Sequence, residues 1–314
     1  MLINYGELKG KRYLRPEIRR IFTATLSNQS TSVLNIMIKR FFLVGSILLG
    51  LTAIGCKHAN RQNENSGVVA DTVAAKATPN SKQAANIPAQ ILEKPQVPVL
   101  CYHRISDGKK NDYTVSQAAF VAHMKALADS GYHAISPAQL YDYLVYSKAL
   151  PAKPVMITFD DSRAEHFAVA APVMEKYGFR GAFFIMTITY NKKNYMTKEQ
   201  IASLAKAGHT VGLHTWDHTM VTKYSDSTDW QKEVVEPKAK LEKIVGMPVE
   251  YFAYPNGVFN HKSAEELSKY FKLSFSLSTK RDSLLPLQTV RRIIVPECSA
   301  QRLLSSMQHS FGKK

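Results

Sequence analysis

Two carboxylates and two imidazoles are the residues whose types and spacing first suggest chemistry. The apolar run Val155-Met156-Ile157-Thr158-Phe159 leads straight into Asp160-Asp161-Ser162, so adjacent acids emerge where a buried strand should end. Neighbouring side chains at a strand end diverge, which lets one acid hold a metal while the other faces a substrate. Alone, an Asp-Asp pair reads more simply as a turn or a helix cap. A second apolar run ends at Leu213 and delivers His214-Thr215-Trp216-Asp217-His218. Its two imidazoles lie four positions apart, a separation that aims both at one ion where the segment turns or coils, although a lone pair of this kind is weak evidence. At a third strand end, Phe252-Ala253-Tyr254-Pro255-Asn256-Gly257 makes a tight turn able to present backbone N–H groups to a developing oxyanion. The fourth cluster is the earliest: Val97-Pro98-Val99-Leu100-Cys101-Tyr102-His103 closes its strand with an aromatic residue and a histidine.

The elements that must position these groups alternate. Short apolar runs at 97–102, 133–136, 155–159, 181–185, 210–213, 251–254, 273–277 and 290–295 read as strands. Helical periodicity falls between them at 116–130, 137–146, 165–177, 198–207, 229–245, 262–270 and 300–308. Alternating strands and helices imply an α/β fold with a parallel sheet, either doubly wound or closed as a barrel, with ligand chemistry at the carboxyl ends of the strands. All four polar clusters sit at such ends, which argues for one pocket.

The 314 residues, 45% hydrophobic and 21% charged, exclude collagen, coiled coil and wholesale disorder. The net charge of +16 invites a nucleic-acid or membrane-surface partner, but six of those charges lie in residues 1–55, and the basic residues form no stripe interleaved with aromatics. Residues 41–55 are an uncharged run behind Lys39-Arg40 and before Cys56, the form of a secretory signal with a lipidated cysteine rather than a membrane span. Ala53 stands where leucine is usual in such a lipobox. Met37 opens a signal of normal length, so residues 1–36 read as an extension or a start-site artefact, 37–55 as the lipoprotein signal, 56–96 as a flexible linker and 97–314 as one domain. Three cysteines without a C-x-x-C pair support neither a disulfide scaffold nor a thiolate zinc site; Cys101 and Cys298 are a conceivable pair.

Taken together, Thr158-Phe159-Asp160-Asp161 and His214-Thr215-Trp216-Asp217-His218, in this order and separation, resemble the polysaccharide deacetylases, the NodB-homology enzymes of carbohydrate esterase family 4. The resemblance spans about residues 97–314 and implies a distorted (β/α) barrel. The early Val97-to-Ile105 segment with Tyr102-His103 resembles the branch that de-N-acetylates extracellular poly-β-1,6-N-acetylglucosamine.

Position by position, the resemblance implies that Asp161, His214 and His218 hold a divalent metal, usually zinc. Asp160 then serves as the base and His103 as the acid for the leaving amine. Two imidazoles and one carboxylate leave coordination positions open, as a catalytic rather than a structural site requires. Two departures stand out. Ala253 occupies the position where many members carry the arginine that orients the catalytic aspartate, and the late strand Arg291-Arg292-Ile293-Ile294-Val295 has no histidine. Asn256 is a candidate oxyanion donor, Tyr254 and Trp216 are candidate sugar-stacking residues, and Asp217 is a candidate partner of a ligand. His123, His133, His166, His209, His261 and His309 belong to no cluster and read as structural or exposed.

The function expected is that of a lipid-anchored deacetylase acting outside the cytoplasm on N-acetylglucosamine polymer. The rivals are a peptidoglycan, chitooligosaccharide or acetyl-xylan deacetylase, and an inactive carbohydrate-binding lipoprotein.

Overall fold

The computed structural model describes residues 84–108 and 111–312. The signal, Cys56 and most of the expected linker lie outside the described residues. The chain opens with α1 (Pro88–Glu93) and then enters β1 (Val99–Tyr102), β2 (Arg104–Ile105) and β3 (Thr114–Val115). After α2 (Gln117–Asp129), β4 (His133–Ala134) and α3 (Pro137–Tyr146), alternation proceeds through β5 (Pro154–Phe159), α4 (Ala171–Lys176), β6 (Ala182–Ile185), α5 (Lys198–Lys206) and β7 (Thr210–Leu213). The remainder is α6 (Ser227–Trp230), α7 (Glu236–Val245), β8 (Tyr251–Ala253), α8 (His261–Leu267), β9 (Leu273–Ser276), β10 (Val290–Arg291), β11 (Ile293–Ile294) and α9 (Ala300–Phe311). Helix starts follow local chemistry: the side chains of Ser116, Ser136, Thr197, Asn260 and Ser299 each accept a backbone N–H of the first turn of α2, α3, α5, α8 and α9.

The linker expected to run through residue 96 ends earlier than that. Ile91 of α1 is buried against the domain, and Asn86 donates through Nδ2 to the Leu144 carbonyl at 2.7 Å. A single buried isoleucine in a polar stretch is too faint a signal for periodicity to reveal.

The main sheet is parallel, in the order β10-β9-β8-β7-β6-β5-β1-β11, with β4 beside β5. Its two outer strands are consecutive in sequence, separated by Arg292 alone. The Arg292 N–H donates to Ser276 of β9, and Val295 donates to Cys101 of β1. Residues 290–295 therefore step across the seam, and the sheet is nearly closed into a (β/α) barrel.

Alternation along the strands divides the core. Val155, Ile157 and Phe159 of β5 pack outward with Phe120, Met124 and Leu204 of the helices. Met156 faces inward with Ala182, Phe184, Ala253 and Phe275. Gly212 on β7 leaves room for that filling, because a Cβ there would stand 2.6 Å from the Phe184 ring. Barrel-strand alternation carries the inward parity of Met156 on to Thr158 and Asp160.

Candidate active site

The end of β5 supplies both acids, and the backbone separates them. Asp160 continues the inward parity of its strand and is buried. Asp161 and Ser162 turn into the left-handed region at φ 75° and 58°. Thr215 and His218 do the same in the loop after β7, as does Asn256 after β8. Five left-handed non-glycine residues at three strand ends are costly, roughly 1 kcal/mol or more each, and persist only where surrounding contacts determine them. Those contacts are present: the Ser162 hydroxyl accepts the Met186 N–H at 2.7 Å and the Thr215 hydroxyl accepts the His218 N–H at 2.9 Å.

These turns bring Asp161, His214 and His218 together. Asp161 Oδ1 lies 3.6 Å from Nε2 of each histidine, and the imidazole rings stand 4.9 Å apart. His214 Nδ1 donates to the Ala253 carbonyl at 2.7 Å, which fixes the tautomer and leaves Nε2 facing Asp161. Asp161 Oδ1 and His214 Nε2 are buried and accept or donate no hydrogen bond within the protein. Buried polar atoms without partners are rare and call for an explanation. A divalent ion explains both, because one carboxylate and two imidazoles are the hard and borderline donors that such an ion takes.

Asp160 is held differently. Arg292 donates from Nη1 to Oδ1 and from Nη2 to Oδ2, both at 2.7 Å, and Nη1 also reaches the Thr158 hydroxyl at 3.2 Å. The guanidinium is wholly buried and lies over the Phe184 ring. Burial by itself would raise the Asp160 pKa, but Arg292 first and His214 second hold it well below the usual carboxylate range. Ala253 supplies no guanidinium here, and the one that grips Asp160 comes from Arg292, between the strands at the two ends of the sheet order. Its signal in the sequence was only a basic residue inside an apolar strand.

His103 ends β1 on the other side of Asp160. Its Nε2 lies 4.0 Å from Asp160 Oδ2, and its carbonyl accepts from His166 Nε2 at 2.5 Å. Burial lowers the His103 pKa, opposed by the charges of Asp160 and Asp161. Cys101 also touches Asp160, its thiol 3.5 Å from Oδ2, and burial raises its pKa strongly. Cys101, His103 and Asp160 form a second group of metal-ligand types. Because Arg292 already occupies both Asp160 oxygens with a positive charge, this group is ill suited to a cation.

Several expectations change. Tyr254 is fully buried and donates to the Gln288 carbonyl, so it cannot stack on a sugar. Trp216 is half-buried and has Lys232 Nζ 4.5 Å from its ring centre. Asn256 lies exposed on its turn, where Gly257 at φ 67° packs so closely on Leu277 that no Cβ fits. Asp217 accepts from Thr219 rather than from a metal-site histidine. Cys101 and Cys298 are free thiols. His123, His166 and His209 are buried and hydrogen-bonded; His209 accepts from Gly181 and donates to Glu175.

Comparison with known proteins decides the family. The polysaccharide deacetylase profile matches residues 147–271. YxkH of Bacillus subtilis (strain 168), which bears the same family's name, is 30% identical over 230 residues, 73% of this chain and 81% of its own length. The chain belongs to the polysaccharide deacetylase family. Its class of reaction is accordingly hydrolytic deacetylation. A poly-β-1,6-N-acetyl-D-glucosamine N-deacetylase of Staphylococcus aureus is 26% identical over 195 residues, covering 57% of this chain and 66% of the relative. Among solved structures, IcaB from Ammonifex degensii is 27% identical with a TM-score of 0.56, over 68% of this chain and 98% of that one. The Streptococcus pyogenes deacetylase PplD, at 24% identity and a TM-score of 0.63 over 68% of this chain and 99% of its own, shares the fold.

Proposed function

We propose that the protein is an exported, lipid-anchored, zinc-dependent deacetylase that removes N-acetyl groups from poly-β-1,6-N-acetylglucosamine. The observation that carries this reading is the pair of buried, unpartnered donor atoms on Asp161 and His214, placed beside an aspartate that a buried arginine keeps ionised. Family membership supports metal-dependent deacetylation. The likeness to the staphylococcal enzyme and to IcaB supports the substrate. The signal-like residues 39–56 support export and anchoring at Cys56.

Asp161, His214 and His218 would hold the ion. When bound it supplies a Lewis acid that polarises the acetyl carbonyl and lowers the pKa of the attacking water. Asp160 accepts the proton of that water. Its depressed pKa guarantees the carboxylate form at neutral pH, and the two-point grip of Arg292 fixes where its oxygens lie. His103, 4.0 Å from Asp160, donates the proton that lets the amine leave. Burial, only partly opposed by the charges of Asp160 and Asp161, leaves its pKa below the ordinary histidine value, so the protonated ring gives up its proton readily. The backbone N–H of Asn256 would receive the developing oxyanion, since those of Gly257 and Val258 already donate to the Tyr254 and Pro255 carbonyls.

The deciding experiment is acetate release from a panel of acetylated glycans by zinc-loaded protein. Release from β-1,6-linked N-acetylglucosamine polymer, abolished by Asp160→Asn, is the expected result. Preference for acetyl-xylan or chitooligosaccharide would overturn the substrate, and sugar binding with no acetate released would make the chain a binding protein.

A further inference from the structure

Tyr113 is the most exposed aromatic residue among the described residues, at 51% exposure, and it stands against the acid candidate His103. The two ring centres are 5.2 Å apart and their planes meet at 62°, so the rings form a corner at the mouth of the site. The backbone beneath Tyr113 is not free to drift. Its carbonyl accepts the Arg104 N–H at 3.0 Å, its own N–H donates to the Asn111 side chain at 2.9 Å, and the next two residues, Thr114 and Val115, are buried in β3 paired with β2. An aromatic ring left in water on an anchored backbone forgoes burial that the fold could have provided. Rigid, amphipathic rings of this kind are effective ligand contacts, since little side-chain entropy is lost when they bind.

We propose that Tyr113 is the stacking platform of this site, receiving the apolar C–H face of the pyranose ring whose acetamide reaches Asp160 and His103. The inference rests on the deacetylase reading and adds to it a residue that selects for a flat, equatorially substituted hexosamine. It also accounts for how the site grips a sugar, given that Tyr254 is buried and the Trp216 ring is partly covered by Lys232.

The test compares hydrolysis of a β-1,6-linked N-acetylglucosamine oligomer with hydrolysis of 4-nitrophenyl acetate, an acetyl ester with no pyranose to stack. Tyr113→Ala and Tyr113→Leu are expected to lower the glycan-to-ester ratio of kcat/KM by about tenfold, mostly through the glycan KM. Tyr113→Phe and Tyr113→Trp, which keep a ring face, are expected to preserve the ratio. A loss confined to the glycan kcat at unchanged KM would mean that the ring merely props His103, equal losses on both substrates would mean that it only supports the fold, and no loss in the Ala variant would mean that it contacts nothing; each of these results overturns the platform. A wild-type protein that cleaves the ester but no acetylated glycan would instead overturn the deacetylase reading, and the platform with it.

Discussion

Arg292 and Asp160 are 132 positions apart in the chain, yet they meet through two parallel hydrogen bonds of 2.7 Å in the barrel interior. This pair converts a buried carboxylate, which burial alone would protonate, into a dependable anion. Replacing Arg292 should therefore damage both function and fold. Arg292→Lys keeps the charge but not the planar fork, and kcat for acetate release is expected to fall by about 10²-fold with the protein still folded. Arg292→Met leaves Asp160 buried without a counter-ion and is expected to cost about 3–5 kcal/mol in urea unfolding. Full activity in the lysine variant would remove the positioning role.

The same pair makes stability depend on pH in a definite direction. The folded pKa of Asp160 lies below its unfolded value of about 3.9, so its contribution is present above that pH and is lost as the pH falls toward the folded value. In metal-free protein, the gap in urea midpoint between wild type and Asp160→Asn should be constant above about pH 5 and narrow progressively below about pH 4. A gap unchanged down to pH 3 would show that the carboxylate is not stabilised by the arginine.

His103 is tested through the leaving group. An amine needs a proton to depart, whereas 4-nitrophenolate does not. His103→Gln should lower kcat for glycan de-N-acetylation by about 10²–10⁴-fold at nearly constant KM, and should affect 4-nitrophenyl acetate hydrolysis far less. Equal losses on both substrates would assign His103 a structural role.

Metal binding has a readout independent of activity. Zinc at about 100 times its dissociation constant should stabilise chelator-treated wild type by about 2.7 kcal/mol, seen as a rise in Tm. Asp161→Asn and His214→Ala should lose that rise and the bound zinc measured by elemental analysis. Retention of one zinc per chain in both variants would place the ion elsewhere.

Much of this protein was legible before any fold was known. The eight expected strands are all present, because buried parallel strands are nearly continuous apolar runs and their breaks are sharp. The expected strand at 290–295 nevertheless splits into β10 and β11, each pairing with a different neighbour. The short β2 and β3 and the helix α1 escaped notice because two-residue strands and a single buried isoleucine carry no periodicity.

Residues adjacent in the chain announce their chemistry locally. The donor types, their emergence at strand ends and the inward parity of Asp160 follow from sequence, whereas Asp161 lies past the end of β5 in a left-handed turn that brings it to the same histidine, His214. Which distant group completes the site does not follow. Arg292 reaches Asp160 because the strand it interrupts crosses from β9 to β1 and closes the barrel, turning its side chain inward. Tyr113 stays in water beside His103 because β2 and β3 pair beneath it. Both outcomes depend on closure and pairing between segments far apart in the chain, and only the folded structure decides those.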